Sequence, residues 1–286
     1  MVIDELQSEG FPVDSLCQSL DVSRSGWYDW QAATPSALRL EDNQLRPLIR
    51  KTFLDHRRRY GARRIAAELS AQNLRVSRRR IRRLMDEMQL KAIQPRSFKP
   101  RTTDSRHKLG YSPNLLIDAP PPTGINQIWV ADITYVPLIG EKFLYLSLIM
   151  DLFSRRIIGW NLQDHMREAL VLSALQMALS VRNIQPGLIL HSDRGGQYAG
   201  DLYRHRMSLA GILSSMSRAA NCYDNAFMES CFGTIKTELE MKAYENQQIA
   251  HKEILAYIRY YCVRRLHSAL GYLSPESFER KYEGRQ

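Results

Sequence analysis

Three consecutive stretches, "NQIWVADITYVPL", "KFLYLSLIMDLFS" and "RRIIGWNL", are rich in β-branched and aromatic residues and carry no sustained helical period. They predict three strands running as a meander. Behind them the pattern alternates: a helix over residues 166–181, the strand "LILHS", a helix over 199–210, the strand "ILSSMS" and a long helix over 223–241. A meander followed by alternating helix and strand leaves few packings open, and the expected fold class is α/β, a mixed sheet covered by helices.

The first part of the chain follows another pattern. Val13, Leu16, Cys17 and Leu20 keep i, i+3, i+4, i+7 spacing and predict a helical hairpin over residues 12–31, with Ser23 as N-cap of its second helix. After a break at "AATPS", the stretch "YGARRIAAELSAQNLRVSRRRIRRLMDEMQL" predicts a helix with Ile65 and Leu69 facing inward, a turn in "QNLRV", and a second helix capped by Ser77. Ile81, Leu84, Met85 and Met88 form the inner stripe of that second helix. The pair reads as helix-turn-helix-like. Its candidate DNA contacts are Arg78, Arg79, Arg80, Arg82 and Arg83 near the start of the second helix, with Arg63 and Arg64 on the first.

Charge supports that reading. Residues 46–108 hold 20 Lys and Arg against 5 Asp and Glu, a net +15 in a chain of net +10, which leaves −5 for the remainder. Such asymmetry suits a part that binds a polyanion, nucleic acid first among them, joined to a part that does something else. A charge run is usually a solvated face, but five arginines within six residues at a positive helix N-terminus favour phosphate contacts. Sequence readout does not follow, because arginines reach phosphates more often than bases.

Residues 95–124 combine basic residues and prolines without a period, and read as an extended linker able to follow a DNA backbone. The expected organisation is an N-terminal helical segment (1–35), a basic helix-turn-helix-like domain (40–94), that linker, a catalytic core (125–242), and a C-terminal helix and tail (243–286). Cys17, Cys222, Cys231 and Cys262 show no C-x-x-C spacing and no accompanying His pair, so they are expected as reduced core residues. "MVIDELQSEG" lacks the zones of a signal peptide, and "FLYLSLIM" is too short to span a membrane. A cytoplasmic protein without a membrane partner is expected.

Three carboxylates break the apolar patterns around them. Asp132 shares one strand face with Ile128, Val130, Thr134 and Val136, where an uncompensated carboxylate costs several kcal/mol. A salt bridge or a bound cation would compensate it. Asp193 ends the run "GLILHSD", at the carboxyl end of a strand, where open α/β sheets place their chemistry, and Gly195 and Gly196 then turn the chain away. In "CYDNAFMESCFGTIKTEL", Met228, Phe232, Ile235 and Leu239 keep core spacing, while Asn225, Glu229 and Lys236 fall on one stripe at its border. Three acids without Cys or His ligands suit a hard divalent cation, Mg²⁺ or Mn²⁺. Two such ions about 4 Å apart serve phosphodiester displacement, which points to a nuclease or a strand-transfer enzyme.

Asp132, Asp193 and Glu229, with 35 residues between the last two, match the D, D, 35, E pattern of retroviral integrases and insertion-sequence transposases. Lys236 stands seven residues after the Glu, where that superfamily has Lys or Arg. The strings "WVADITYVPL", "DLFSRRIIGW", "HSDRGGQY", "SMSRAANCYDNAFMESCFGTIKTEL" and "RRLHSALGYLSPESFE" resemble the second-reading-frame (OrfB) product of the insertion sequence three family, and the similarity covers nearly the whole chain.

The resemblance implies a ribonuclease H-like catalytic core in which Asp132, Asp193 and Glu229 are catalytic and hold Mg²⁺ or Mn²⁺, as two ions. It implies hydrolysis of a 3′ phosphodiester at the element's end, then attack of the freed 3′-hydroxyl on another phosphodiester, with no covalent protein intermediate. The implied partners are DNA (terminal inverted repeats and target), further copies of the chain on that DNA, and the first-reading-frame (OrfA) product, to which frameshifting fuses the second. The implied setting is a bacterial cytoplasm, at the nucleoid when on DNA. Lys236 and Asn225 are expected to bind DNA, and Gly195 and Gly196 to let backbone approach it closely.

Two features depart from the family. "YYCVRRLHSAL" places Cys262 where Asn is expected, and no leucine heptad precedes the core. Among rival readings, a helix-turn-helix repressor would leave the acids unexplained, and a ribonuclease H or junction resolvase would not need the basic first half. The alternative kept is a DNA-binding regulatory protein with an inactive integrase-like core.

Overall fold

The computed structural model describes residues 2–32, 36–94, 110–117, 119–140, 142–218 and 226–284. Helices Val2–Ser8 (α1), Val13–Ser19 (α2) and Arg24–Ala32 (α3) pack around Ile3, Leu16, Cys17 and Trp27. The expected hairpin is therefore α2 and α3, with α1 added. Ser23 caps α3 through its Oγ, which accepts from Gly26 N at 2.9 Å.

A helix that the sequence pattern did not announce follows, Ala37–Asp55 (α4), with Pro47 in its interior. Proline removes the amide that would bond four residues back, and it normally ends a helical reading. Here Leu45, Ile49 and Phe53, each four residues apart, bury against Ala62–Ala71 (α5) and Arg78–Glu87 (α6), and that packing holds the helix through the proline. Ile65, Leu69, Ile81 and Leu84 are fully buried, as their spacing predicts. Ser77 Oγ accepts from Arg80 N at 3.2 Å, which is the expected cap of α6.

The strands Ile128–Leu138 (β1), Lys142–Asp151 (β2) and Ile157–Gln163 (β3) form the antiparallel meander. After the helix Glu168–Val181 (α7), the strand Ile189–Ser192 (β4) joins β1 in parallel. Past Asp201–Leu209 (α8), Leu213–Met216 (β5) joins β4, again in parallel. The sheet order is β3-β2-β1-β4-β5. Ile128, Val130 and Val136 face the helices Ala226–Glu238 (α9) and Gln247–Val263 (α10), whereas Trp129 and Ala131 face α7 and α8. The result is a helix–sheet–helix sandwich with two apolar cores. Its close fit shows at Gly159 of β3, where a Cβ would run into the Ala174 carbonyl of α7.

Two segments differ from expectation. Residues 95–109 of the linker lie outside the described residues, but its later part runs along β5: Ser112 Oγ meets Ser214 Oγ at 2.9 Å, and Met216 N donates to Pro113 O at 3.3 Å. It covers a sheet edge that would otherwise be open to pairing. Beyond α10 the chain is more than a tail, because Pro275–Glu283 (α11) docks through Glu279, which is 2% exposed and accepts from Arg156 (2.6 Å) and Arg182. A buried acid where the pattern would ask for an apolar residue hides this helix from a periodicity reading. Cys17, Cys231 and Cys262 are buried free thiols, and Cys222 lies outside the described residues. No helix among the described residues is long and apolar enough to cross a membrane.

The helical domain docks on α10 and the segment after it. His56 stacks on Tyr60 with ring centroids 3.7 Å apart, and its Nδ1 lies 3.0 Å from Tyr260 Oη. Tyr60 Oη donates to Arg264 O and accepts from Leu266 N at 2.7 Å. Burial holds His56 down at about 4, from an ordinary 6.5. As pH falls, the unfolded chain takes up this proton first. The stability due to neutral His56 is complete above pH 6.5 and is lost between 6.5 and 4. We expect the thermal midpoint of the wild type to drop more between pH 7 and pH 5 than that of His56→Phe, which keeps the stack and cannot titrate. Equal drops in the two proteins would contradict this.

Candidate active site

The ladder between β1 and β4 pairs Ile128 with Ile189, Trp129 with Leu190 and Val130 with His191. Asp132 lies two residues beyond the last of these pairs in β1, and Asp193 lies just past the end of β4, so both carboxylates stand at the same end of neighbouring strands. Strand alternation turns Asp132 to the face of β1 that α9 covers. There Met228, Phe232 and Ile235 of α9 are buried against the sheet, and Glu229 stays exposed at the border. The three acids thus come together from two strands and one helix.

The three acids lie within range of one another's charge. Burial, then the charge of Asp193, pushes the Asp132 carboxyl well above the usual carboxylate range, and Glu229 adds to the rise. A hydrogen bond from Ile133 N at 2.7 Å and the charge of Lys236 oppose it. Lys236 is half-buried, and burial lowers its ammonium against the pull of Asp132. Tyr198, which the sequence reading did not single out, is 2% exposed, and burial together with Asp132 and Asp193 raises its phenol. Its place inside the string "HSDRGGQY", five residues after Asp193, was the available signal.

Gly195 also leaves room for a catalytic-site candidate. A Cβ there would sit 3.0 Å from Asp193 Oδ1 and 2.9 Å from Gln197 Oε1, and Asp193 Oδ1 accepts from Gly195 N at 2.9 Å. The glycine makes room for the carboxylate itself. Among the described residues, no three His, Cys, Asp or Glu side chains converge closely enough to ligate one ion. The three acids share a field without forming a closed cage, yet the donor set is all oxygen and its buried member lacks a full counter-charge. That chemistry fits a hard divalent cation.

The candidate DNA contacts divide. Arg63, Arg78, Arg79 and Arg82 are exposed, Arg82 with only a 3.9 Å contact to Asp86. Arg80 and Arg83 reach back to Asp42 of α4, which is 4% exposed and held below the usual carboxylate range by those two guanidinium groups. Arg64 turns to Glu238, at 3.3 Å. Asn225 lies outside the described residues.

A second cluster, which sequence reasoning missed, sits at the C-terminal end of α9. Glu238 accepts from Arg265 Nε (2.9 and 3.0 Å) and Nη2 (2.7 Å), from Tyr257 Oη (3.0 Å) and from Arg64. Arg59 lies over the rings of Tyr257 and Tyr260 and donates to Glu238 O. The cluster joins the helical domain to the helix that carries Glu229 and Lys236.

Comparison with known proteins gives this geometry its context. Residues 122–222 match an integrase core domain family, residues 210–275 a second integrase core domain family, and residues 40–98 an HTH-like domain family. Among solved structures, the HTLV-2 integrase catalytic core domain in complex with magnesium is similar at 15% identity and TM-score 0.43, covering 55% of this chain and 98% of that one. The catalytic core domain of BIV integrase is similar at 12% identity and TM-score 0.42, covering 56% and 97%. The insertion element IS600 31 kDa protein of Shigella sonnei is 42% identical over 93% of this chain and 98% of its own length. The transposase of IS904 from Lactococcus lactis is 38% identical over 86% and 97%, and transposase InsF of IS3 from Escherichia coli is 36% identical over 98% and 97%. With an HTH-like domain joined to an integrase core domain, and relatives 36–42% identical over 86–98% of its length, the chain belongs to the IS3 family of insertion-sequence transposases.

Proposed function

We propose that this transposase cuts the 3′ ends of its insertion sequence and joins them to target DNA by a DDE mechanism, with Asp132, Asp193 and Glu229 as the catalytic acids. The observation that carries the reading is structural: β1 with Asp132 pairs with β4, which leads into Asp193, under the helix α9 that carries Glu229, and Asp132 feels the charge of both other acids. Two ions of Mg²⁺ or Mn²⁺, held by these carboxylates, would supply activation of the attacking oxygen and stabilisation of the leaving one. In the first reaction water forms a bond to phosphorus and the element's 3′ oxygen leaves as a hydroxyl. In the second that hydroxyl forms a new bond to a target phosphorus, and the target's 3′ oxygen leaves. Bond for bond, joining needs no external energy source.

The chain's own residues have separable parts in this. Asp132 lies in β1, Asp193 just after its partner strand β4, and Glu229 on α9, which packs on β1, and this arrangement supports their joint role. Lys236 lies about two helical turns beyond Glu229 and supplies a positive charge for a phosphate of the element's end. The exposed arginines of the HTH-like domain supply salt-sensitive affinity for DNA. The protein works as the catalytic part of an OrfA–OrfB fusion, self-associated on DNA.

The test is incubation of the purified chain, alone and fused to the OrfA product, with supercoiled DNA carrying the element's flanking ends, in Mg²⁺ or in EDTA. Nicks at the element's 3′ ends that need the metal support the proposal. DNA binding with no metal-dependent nicking in either form would favour a regulatory protein with an inactive core. Lys236→Ala should weaken end binding or joining with little change in thermal stability, and Lys236→Arg should restore part of it. Wild-type joining by Lys236→Ala across a salt titration would show that the lysine is not needed.

A further inference from the structure

An open groove of about 640 Å³ lies where the turn between α5 and α6 faces the C-terminal segment. Arg63 of α5, Arg75 and Ser77 of the turn, and Arg78 of α6 line one side, and Tyr272 lines the other. Unlike Arg64, Arg80 and Arg83, the arginines of this groove make no ion pair among the described residues. The N-terminus of α6 adds its own positive field. The groove is therefore a concentration of uncompensated positive charge.

Tyr272 is held there against its backbone preference. Gly271 and Tyr272 have φ of +63° and +61°, a left-handed pair in which a bulky residue is rare. The turn is closed by Tyr272 N donating to His267 O at 2.8 Å and by His267 N donating to Leu273 O at 3.0 Å. Tyr60 ties the two walls together through Arg264 O and Leu266 N, so the groove exists before anything enters it.

We propose that this groove seats the backbone of duplex DNA, with Arg63, Arg75 and Arg78 on its phosphates and the Tyr272 hydroxyl donating to a phosphate oxygen. Donors spread along an open groove, from two helices, a turn and the C-terminal segment, suit a chain of phosphates better than a single small anion. The inference rests on the DNA-binding part of the proposed function and deepens it. Arg75 and Tyr272 become DNA contacts, and the DNA surface is shared by the HTH-like domain and the segment after α10.

Binding of the full chain to a fluorescent duplex in EDTA, across a salt titration, tests this independently of catalysis. Arg75→Gln should bind about tenfold more weakly, with the slope of log K against log salt shallower by about 0.9. Tyr272→Gly suits the positive φ and should keep or raise the thermal midpoint while weakening binding several-fold at unchanged slope. Tyr272→Phe should fall between it and the wild type. If the wild type binds and these variants match it in affinity and slope, the groove proposal fails alone. If the wild type does not bind duplex DNA at any salt, the DNA reading of the whole helical domain fails with it.

Discussion

Asp132→Asn, Asp193→Asn and Glu229→Gln are each expected to lose DNA cleavage and joining by at least about 10³-fold, because removing one carboxylate weakens and misplaces the ions that stabilise developing charge. Stability should move the other way or not at all. Asp132 is desolvated beside two like charges in the folded chain, so its neutral isostere relieves a cost. Thermal melts and joining assays on the same preparations separate loss of function from loss of fold. A near wild-type rate in one variant would remove that residue from the site.

Glu238→Ala should cost about 3–5 kcal/mol of stability. The loss comes chiefly from Arg265, which is 5% exposed and would be left as a buried guanidinium without its carboxylate. Arg64 and Tyr257 Oη lose the same partner. Glu238→Gln keeps the shape and an acceptor, so it should cost less. Equilibrium unfolding in urea measures both, and a loss below about 1 kcal/mol for the alanine variant would show that the cluster is not what holds the helical domain to α9.

The sheet was legible because β1, β2 and β3 are long runs of β-branched and aromatic residues, and the two-residue period of a strand then assigned the faces of β1. Asp132 and Asp193 stood out for the same reason, since a carboxylate on an apolar strand face or at a strand end contradicts its surroundings. What was hidden depends on partners far away in the chain. Glu238 looks like an ordinary helix-terminal acid, and its contact with Arg64 spans 174 positions. Asp42 looks like a surface residue until Arg80 and Arg83 close on it. The arginine run was readable as charge, but which arginines turn inward depended on α4, and Pro47 concealed that helix.

Joining of a pre-cut element end to supercoiled DNA, by the full chain alone and fused to the OrfA product, puts the catalytic acids and the DNA end to one test. A joined product is expected from at least one of the two forms in Mg²⁺ or Mn²⁺, none in EDTA, and none when the end carries a 3′-deoxy nucleotide, because the 3′-hydroxyl is the nucleophile. Joining in EDTA, or joining of the 3′-deoxy end, would contradict the DDE mechanism.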